Sequence, residues 1–218
     1  MTDGDLSTRT KVEKLGEVER VYRQLKSWLI DCVLPPGSYL SEVELARRCN
    51  TSRTPVREAC NRLHQEKWID RIRQKGYVVR AVSVREIVEI YEFRRVLECF
   101  AAEKLAQVVS PGQLADLDRT IAIERQADTP NQEFVIANER FHLKIAEYSG
   151  NQLVFDHLKL TMEYVKRIDT YSQEKSNAWL PHAEVLRAIA SHDPAASRQA
   201  MASHIDLSRD RMLKLFGS

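Results

Sequence analysis

From Ser83 to the C-terminus, apolar residues recur with a helical period and no segment reads as a strand. "SVREIVEIYEFRRVLECFAAEKLAQVV" is the first such segment. "SPGQLADLDRTIAIERQ", "PNQEFVIANERFHLKIAEYSG", "NQLVFDHLKLTMEYVKRIDTYS", "NAWLPHAEVLRAIASHD" and "PAASRQAMASHIDLSRDRMLKLF" follow it. An amphipathic helix must bury its apolar stripe, and without a sheet only other helices can cover it. Residues 83–218 are therefore expected to form a six-helix antiparallel bundle, joined by short connections. Local punctuation agrees. Ser83 with Glu86 has the spacing of a capping box, Pro111 stands at a preferred first helical position, and Gly150 closes the third helix.

The first 82 residues follow another plan. After a start expected to be flexible (1–17), "VERVYRQLKSWLIDCVL" puts Val21, Leu25, Trp28, Leu29 and Cys32 on one stripe. "PPGSYL" stops that helix. Ser41 and Glu44 have capping-box spacing at the start of "SEVELARRCN", a short second helix. "NTSRTP" turns the chain into a third, capped by Ser52, with Val56, Ala59, Cys60 and Leu63 inward. Pro55 is tolerated there, because a helix's first turn has no intrahelical acceptors for its N–H groups. The period then changes: Ile69 and Ile72 lead through a Gln74-Lys75-Gly76 turn to the β-formers Tyr77, Val78 and Val79. Helix, helix, turn, helix and hairpin make a winged helix-turn-helix over residues 18–82, in a chain that is mainly α.

Charge separates the two halves. Residues 1–80 hold 16 lysines and arginines against 11 acidic residues, and the remainder holds 17 against 20. Such asymmetry points the N-terminal part at an anion, although a solvated basic face reads the same way. No run of 18 apolar residues occurs, and the charged first twenty residues lack the apolar core of a signal peptide. The four cysteines, Cys32, Cys49, Cys60 and Cys99, form no CxxC pair and read as buried thiols of a cytoplasmic protein.

In a helix-turn-helix the second helix of the motif enters the major groove with its N-terminal residues foremost. Here those residues are Ser52, Arg53, Thr54 and Arg57. Arginine's planar fork can bond guanine O6 and N7 together or clamp a phosphate, and hydroxyls and helix N–H groups can hold the backbone. Lys75 and Gly76 at the wing tip would approach a minor groove. Plain solvent exposure is the alternative for two arginines at i and i+4. "LPPGSYLSEVELARRCNTSRTPVREACNRLHQEKWI" followed by "QKGYVV" resembles the DNA-binding domain of the GntR family of bacterial transcription regulators, without a gap over Tyr22 to Val79. The resemblance implies a homodimer on a short inverted-repeat operator in double-stranded DNA. By position it assigns contacts to Arg53, Thr54, Arg57 and Gly76. A further arginine contact of some members falls on Val43, a departure.

Asn138 and His142 lie four apart in "ANERFHLKIAE" and share a helix face; His182 and His204 lie on two later helices. Three imidazoles and an oxygen donor make a first shell for Zn²⁺, Ni²⁺ or Mn²⁺, whereas satisfied core histidines are the plainer account. "IYEFRRVLECFAAEKLA", "ANERFHLKIAEYSGNQLV" and "HAEVLRAIASHDPAASRQAMASHI" resemble the FCD ligand-binding domain of the FadR subfamily, in its shorter VanR-like branch. That resemblance implies an aspartate and three histidines around a metal, completed by a carboxylate effector, at Asn138, His142, His182 and His204. Asn138 replaces the aspartate, and a neutral amide holds a divalent cation less firmly. Arg94 could pair with a small carboxylate metabolite, or with Glu98 at i+4. The expectation is an effector-controlled transcription repressor, not an enzyme. A DNA-architectural protein with a helical domain that binds no metal is the alternative. A metal-dependent enzyme is remoter, because Glu139 points off the Asn138–His142 face and no other base is suitably spaced.

Overall fold

A computed structural model describes residues 3–73, 75–124, 131–172 and 179–216. Side chains are described from residue 16 onward, except at 123, 124, 131, 132 and 179–181. The chain divides into two compact units, Met1–Ala81 and Val82–Ser218.

The first unit runs α1 (Asp3–Ile30), β1 (Tyr39–Leu40), α2 (Glu42–Arg48), α3 (Arg53–Gln65), β2 (Ile69–Ile72) and β3 (Gly76–Val79). Val21, Leu25 and Leu29 of α1 meet Val56, Ala59, Cys60 and Leu63 of α3, and all are buried. Trp68 and Ile69 continue this core, each large apolar side chain stabilising the fold by about 1.5–3 kcal/mol. The three strands are antiparallel in the order β1-β3-β2, with Leu40 opposite Tyr77 and Ile69 opposite Val79. Arg20 of α1 donates to the carbonyl of Cys49 (2.8 Å), which ties the end of α2 to α1.

Several expectations are corrected here. α1 begins at Asp3, earlier than the stripe that starts at Val21. Trp28 and Cys32, placed on the buried stripe, are half-buried; Tyr22 is buried instead, its hydroxyl donating to the Glu66 carboxylate (2.9 Å). Trp28 is covered by the Arg48 guanidinium, 4.4 Å from the ring centre. Ser41 and Ser52 stand at N-cap positions in extended backbone, but neither side chain makes a cap hydrogen bond. Glu44 turns to Arg47 (2.8 Å) rather than back to Ser41. β1, the third strand, lies in "PPGSYL", which reads only as a helix stop. Gln74 of the expected turn lies outside the described residues.

The second unit consists, among the described residues, of α4 (Val84–Val108), α5 (Pro111–Glu124), α6 (Asn131–Tyr148), α7 (Gln152–Ser172), α8 (Trp179–Ala190) and α9 (Pro194–Phe216). The six expected helices are all there. Ser83 caps α4 by accepting from the Glu86 N–H (3.1 Å). Ser110 and Gln113 form a reciprocal box at α5, with Ser110 N–H donating to Gln113 Oε1 at 2.9 Å and Gln113 N–H to Ser110 Oγ at 3.3 Å. α4 packs along α9 and also meets α6, α7 and α8. Its inward face carries Ile87, Tyr91, Ala101, Ala102 and Leu105 against Phe141, Ile145, Met162, Val165, Val185, Met201 and Ile205. Within this apolar interior sit Arg94, Glu98, Asn138, His142, Arg167, His182 and His204, all buried. Polar groups so placed need partners, and that requirement builds the site.

Candidate functional site

α3 buries Pro55, Val56, Ala59, Cys60 and Leu63, so the opposite face of its first turns points outward. Ser52, Arg53, Thr54 and Arg57 are all exposed there, as is Lys75 beside the wing turn. Arg53 and Arg57 nevertheless have a shared partner. Arg57 grips Glu42 through two bonds, Nε to Oε1 at 3.0 Å and Nη2 to Oε2 at 2.7 Å. Arg53 Nη2 reaches the same Oε2 at 3.3 Å. The Arg57 hydrogen bond chiefly holds the Glu42 carboxyl below its usual range against partial burial, so it is ionised. Gly76 has φ +100°, and a Cβ there would lie 2.4 Å from the Leu40 carbonyl oxygen. The fold itself demands glycine at this position. Val43, beside Glu42, is exposed.

In the second unit, helix packing brings three imidazoles together. One nitrogen from each of His142, His182 and His204 lies within 4.8 Å of the others. His182 Nε2 and His204 Nε2 are each 3.1 Å from His142 Nε2. Burial holds all three below the ordinary histidine range, His182 and His204 well below it, so they are neutral. His142 Nδ1 faces the Glu98 carboxylate directly. That contact fixes the ring proton on Nδ1 and presents the Nε2 lone pair to the other two rings. Burial alone would raise Glu98, but the Arg94 charge and the bonds from His142 and Arg94 hold it down to about 2.

Arg94, buried on α4, donates from Nε to Glu98 Oε1 at 2.7 Å, and its Nη2 comes within 3.4 Å of His142 Nε2. The i+4 pair with Glu98 is thus present, and the same guanidinium borders the histidines. Its guanidinium lies 4.9 Å from the Tyr91 ring centre. Asn138 is buried one turn before His142 on α6.

The donor set suits a divalent metal. Nitrogens bound at about 2.0–2.1 Å to one ion lie about 2.9–3.4 Å apart for right-angled to tetrahedral geometry. The 3.1 Å spacings fall inside that range. A single Nε2 lone pair on His142 can accept a proton from only one neighbour, whereas an ion would serve all three rings. His142, His182 and His204 would hold it and Glu98 would orient His142.

Comparison with known proteins accounts for both units. The profile of the FCD domain matches residues 89–207, and that of "Bacterial regulatory proteins, gntR family" matches residues 17–79. The chain belongs to the GntR family of transcription regulators and carries an FCD domain. This regulator is 28% identical over 193 residues to the HTH-type transcriptional repressor RspR of Escherichia coli K12, covering 86% of this chain and 85% of RspR. It is 26% identical over 208 residues to the gluconate operon transcriptional repressor of Bacillus subtilis 168, covering 90% and 85%. Its fold matches the solved structure of E. coli McbR/YncC with a TM-score of 0.75 at 23% identity, covering 92% of this chain and 98% of that one.

Two residues of the regulator's sites escaped the sequence reading. Glu42 acts on Arg53 and Arg57 across 11 and 15 positions, a spacing with no periodic signal. Glu98 was visible only as the helical neighbour of Arg94. Its contact with His142 arises where α6 crosses α4.

Proposed function

We propose that this regulator is a cytoplasmic repressor that binds an inverted-repeat operator as a homodimer, and that a small carboxylate metabolite at the histidine site weakens or strengthens that binding. The recognition contacts are Arg53, Thr54 and Arg57 with the hydroxyl of Ser52, supplemented by Lys75 and the backbone at Gly76. The observation that carries the effector half is the buried set of three neutral imidazoles beside Arg94. A Zn²⁺, Ni²⁺ or Mn²⁺ ion on His142, His182 and His204, with Asn138 as a weak fourth donor, would supply a Lewis acid for one carboxylate oxygen. Arg94 would take the other through a charge-assisted bond. The ligand must displace or share Arg94's attention to His142, which gives the pocket two arrangements to choose between.

Self-association is supported by an exposed apolar stripe, Phe93, Val96 and Phe100 on α4 with Leu153 and Leu160 on α7. Phe93 and His157 join the two helices edge to face, 6.4 Å between ring centres. No described helix is long and apolar enough to cross a membrane.

The test has two arms. Thermal-shift screening with Zn²⁺, Ni²⁺ or Mn²⁺ and a panel of carboxylic acids, gluconate among them, should raise the unfolding midpoint of the wild-type chain, because a ligand of the native state stabilises it. His142→Ala should abolish the response. Arg53→Ala with Arg57→Ala should lower affinity for a duplex selected by the wild-type chain by roughly tenfold or more. Wild-type DNA affinity in the double variant would refute the recognition assignment. A second reading, an effector pocket without metal, is favoured by the neutral amide at Asn138. It predicts acid-induced shifts that persist in chelator-treated protein.

A further inference from the structure

We propose that Glu42 is a positioning residue of the DNA-reading surface: its carboxylate yokes Arg53 and Arg57 into one preset pair and lowers attraction to arbitrary phosphate. This inference rests on the DNA-binding reading above.

The geometry makes the case. Glu42 opens α2, while the two arginines lie on α3, so their contact spans the turn of the helix-turn-helix. The carboxylate is only 16% exposed, against 60% for Arg53 and 52% for Arg57. An ordinary surface ion pair contributes little, because both partners are solvated and mobile. Here the acid is shielded, gripped on both oxygens by Arg57, and touched by Arg53 on one of them.

A guanidinium carries five N–H donors in a rigid plane. Arg57 spends Nε–H and one Nη2–H on Glu42. The Nη1/Nη2 edge remains, with three donors on the outer end of the side chain. That edge is a fork of the kind that reads guanine O6 and N7. Glu42 therefore removes the rotational freedom of the fork before DNA arrives, which reduces the entropy lost on binding. It also leaves the three-residue cluster with one net positive charge instead of two. A phosphate approaching from any direction meets a weaker field. A guanine edge that fits the preset fork loses nothing.

The experiment uses the full chain and two probes: a duplex selected from a random pool by the wild-type protein, and poly(dI-dC) as arbitrary DNA. Glu42→Gln keeps the shape and removes the charge. It should bind poly(dI-dC) about 5- to 10-fold more tightly at low salt, and its log K against log salt slope should steepen by about 1. Its preference for the selected duplex over poly(dI-dC) should fall by about tenfold or more. Glu42→Asp should restore part of that preference. In the Arg53→Ala, Arg57→Ala background, Glu42→Gln should no longer change the preference, since the arginines it positions are gone. Only the general effect of one removed charge on salt-dependent binding should persist.

Wild-type slope and preference in Glu42→Gln would overturn the proposal. So would an equal loss of preference on Glu42→Gln in the arginine-free background, which would mean that the carboxylate acts elsewhere. A wild-type chain without salt-dependent binding to either duplex would overturn the DNA-binding reading itself, and this inference with it.

Discussion

Gly76→Ala separates two roles that a wing glycine can serve. If the residue is small only so that the backbone can approach a DNA groove, alanine should reduce DNA affinity and leave the fold intact. The structure predicts the opposite order of damage. At φ +100° an L residue is strained by about 1–3 kcal/mol. The added Cβ would also sit 2.4 Å from the Leu40 carbonyl oxygen, well inside the 3.0 Å that real Cβ contacts respect. Both sides of that clash are backbone, so no side chain can swing away. Relief requires β1 to part from β3, where Leu40 pairs with Tyr77, and a lost hydrogen bond costs about 0.5–1.5 kcal/mol. The total is roughly 2–4 kcal/mol. For a cooperative unit of about 80 residues that corresponds to a midpoint lowered by roughly 10–25 °C. Hydrogen exchange across Tyr39–Leu40 and Gly76–Val79, together with thermal unfolding, measures it. Lys75→Ala is the control: an exposed side chain whose loss should stay within about 0.5 kcal/mol. A Gly76→Ala protein with wild-type stability and wing protection, but weakened DNA binding, would refute the steric argument.

Glu98→Gln should lower the affinity of chelator-stripped protein for Zn²⁺ by about 10- to 100-fold, the usual cost of losing a ligand's hydrogen-bond partner. Titration calorimetry reads this directly, and unchanged affinity would remove Glu98 from the metal site. Asn138→Asp should act in the other direction, because a carboxylate adds charge to the donor set; equal or weaker affinity would show that Asn138 does not face the ion. Burial pushes the Cys60 thiol up to about 12. It should therefore resist a thiol reagent at pH 8 until the chain unfolds, whereas half-buried Cys32 reacts in the native state. Immediate labelling of Cys60, read by mass spectrometry, would contradict the packing of α3.

The bundle was legible because each of its helices keeps a 3.6-residue period for several turns, which is a signal that needs no tertiary information. The wing hairpin was legible because the period changes at Ile69 and a glycine marks the turn. β1 was not: two residues are too few to alternate, and Tyr39–Leu40 is a strand only because β3 pairs with it. Capping failed at Ser41 and Ser52 because spacing identifies candidates, while the hydrogen bond depends on rotamers that compete for other partners. Three histidines and Arg94 could be named from sequence and resemblance, and packing brings those four together. Glu98 and Glu42 were missed for one reason. Each acts on a residue of another helix, and a charge's partner across a crossing is decided by packing, not by spacing.

The Arg94–Glu98 pair also sets a limit on how robust the bundle can be. Charges removed from water recover their solvation only through well-placed partners, and apolar residues of similar volume often do as well or better. A bundle carrying methionine and leucine at these two positions would be expected to fold at least as firmly. The regulator thus keeps, within its second unit, a buried charged pair that stability alone does not require. On the proposed reading, an apolar replacement would leave the pocket nothing with which to tell one small carboxylate from another.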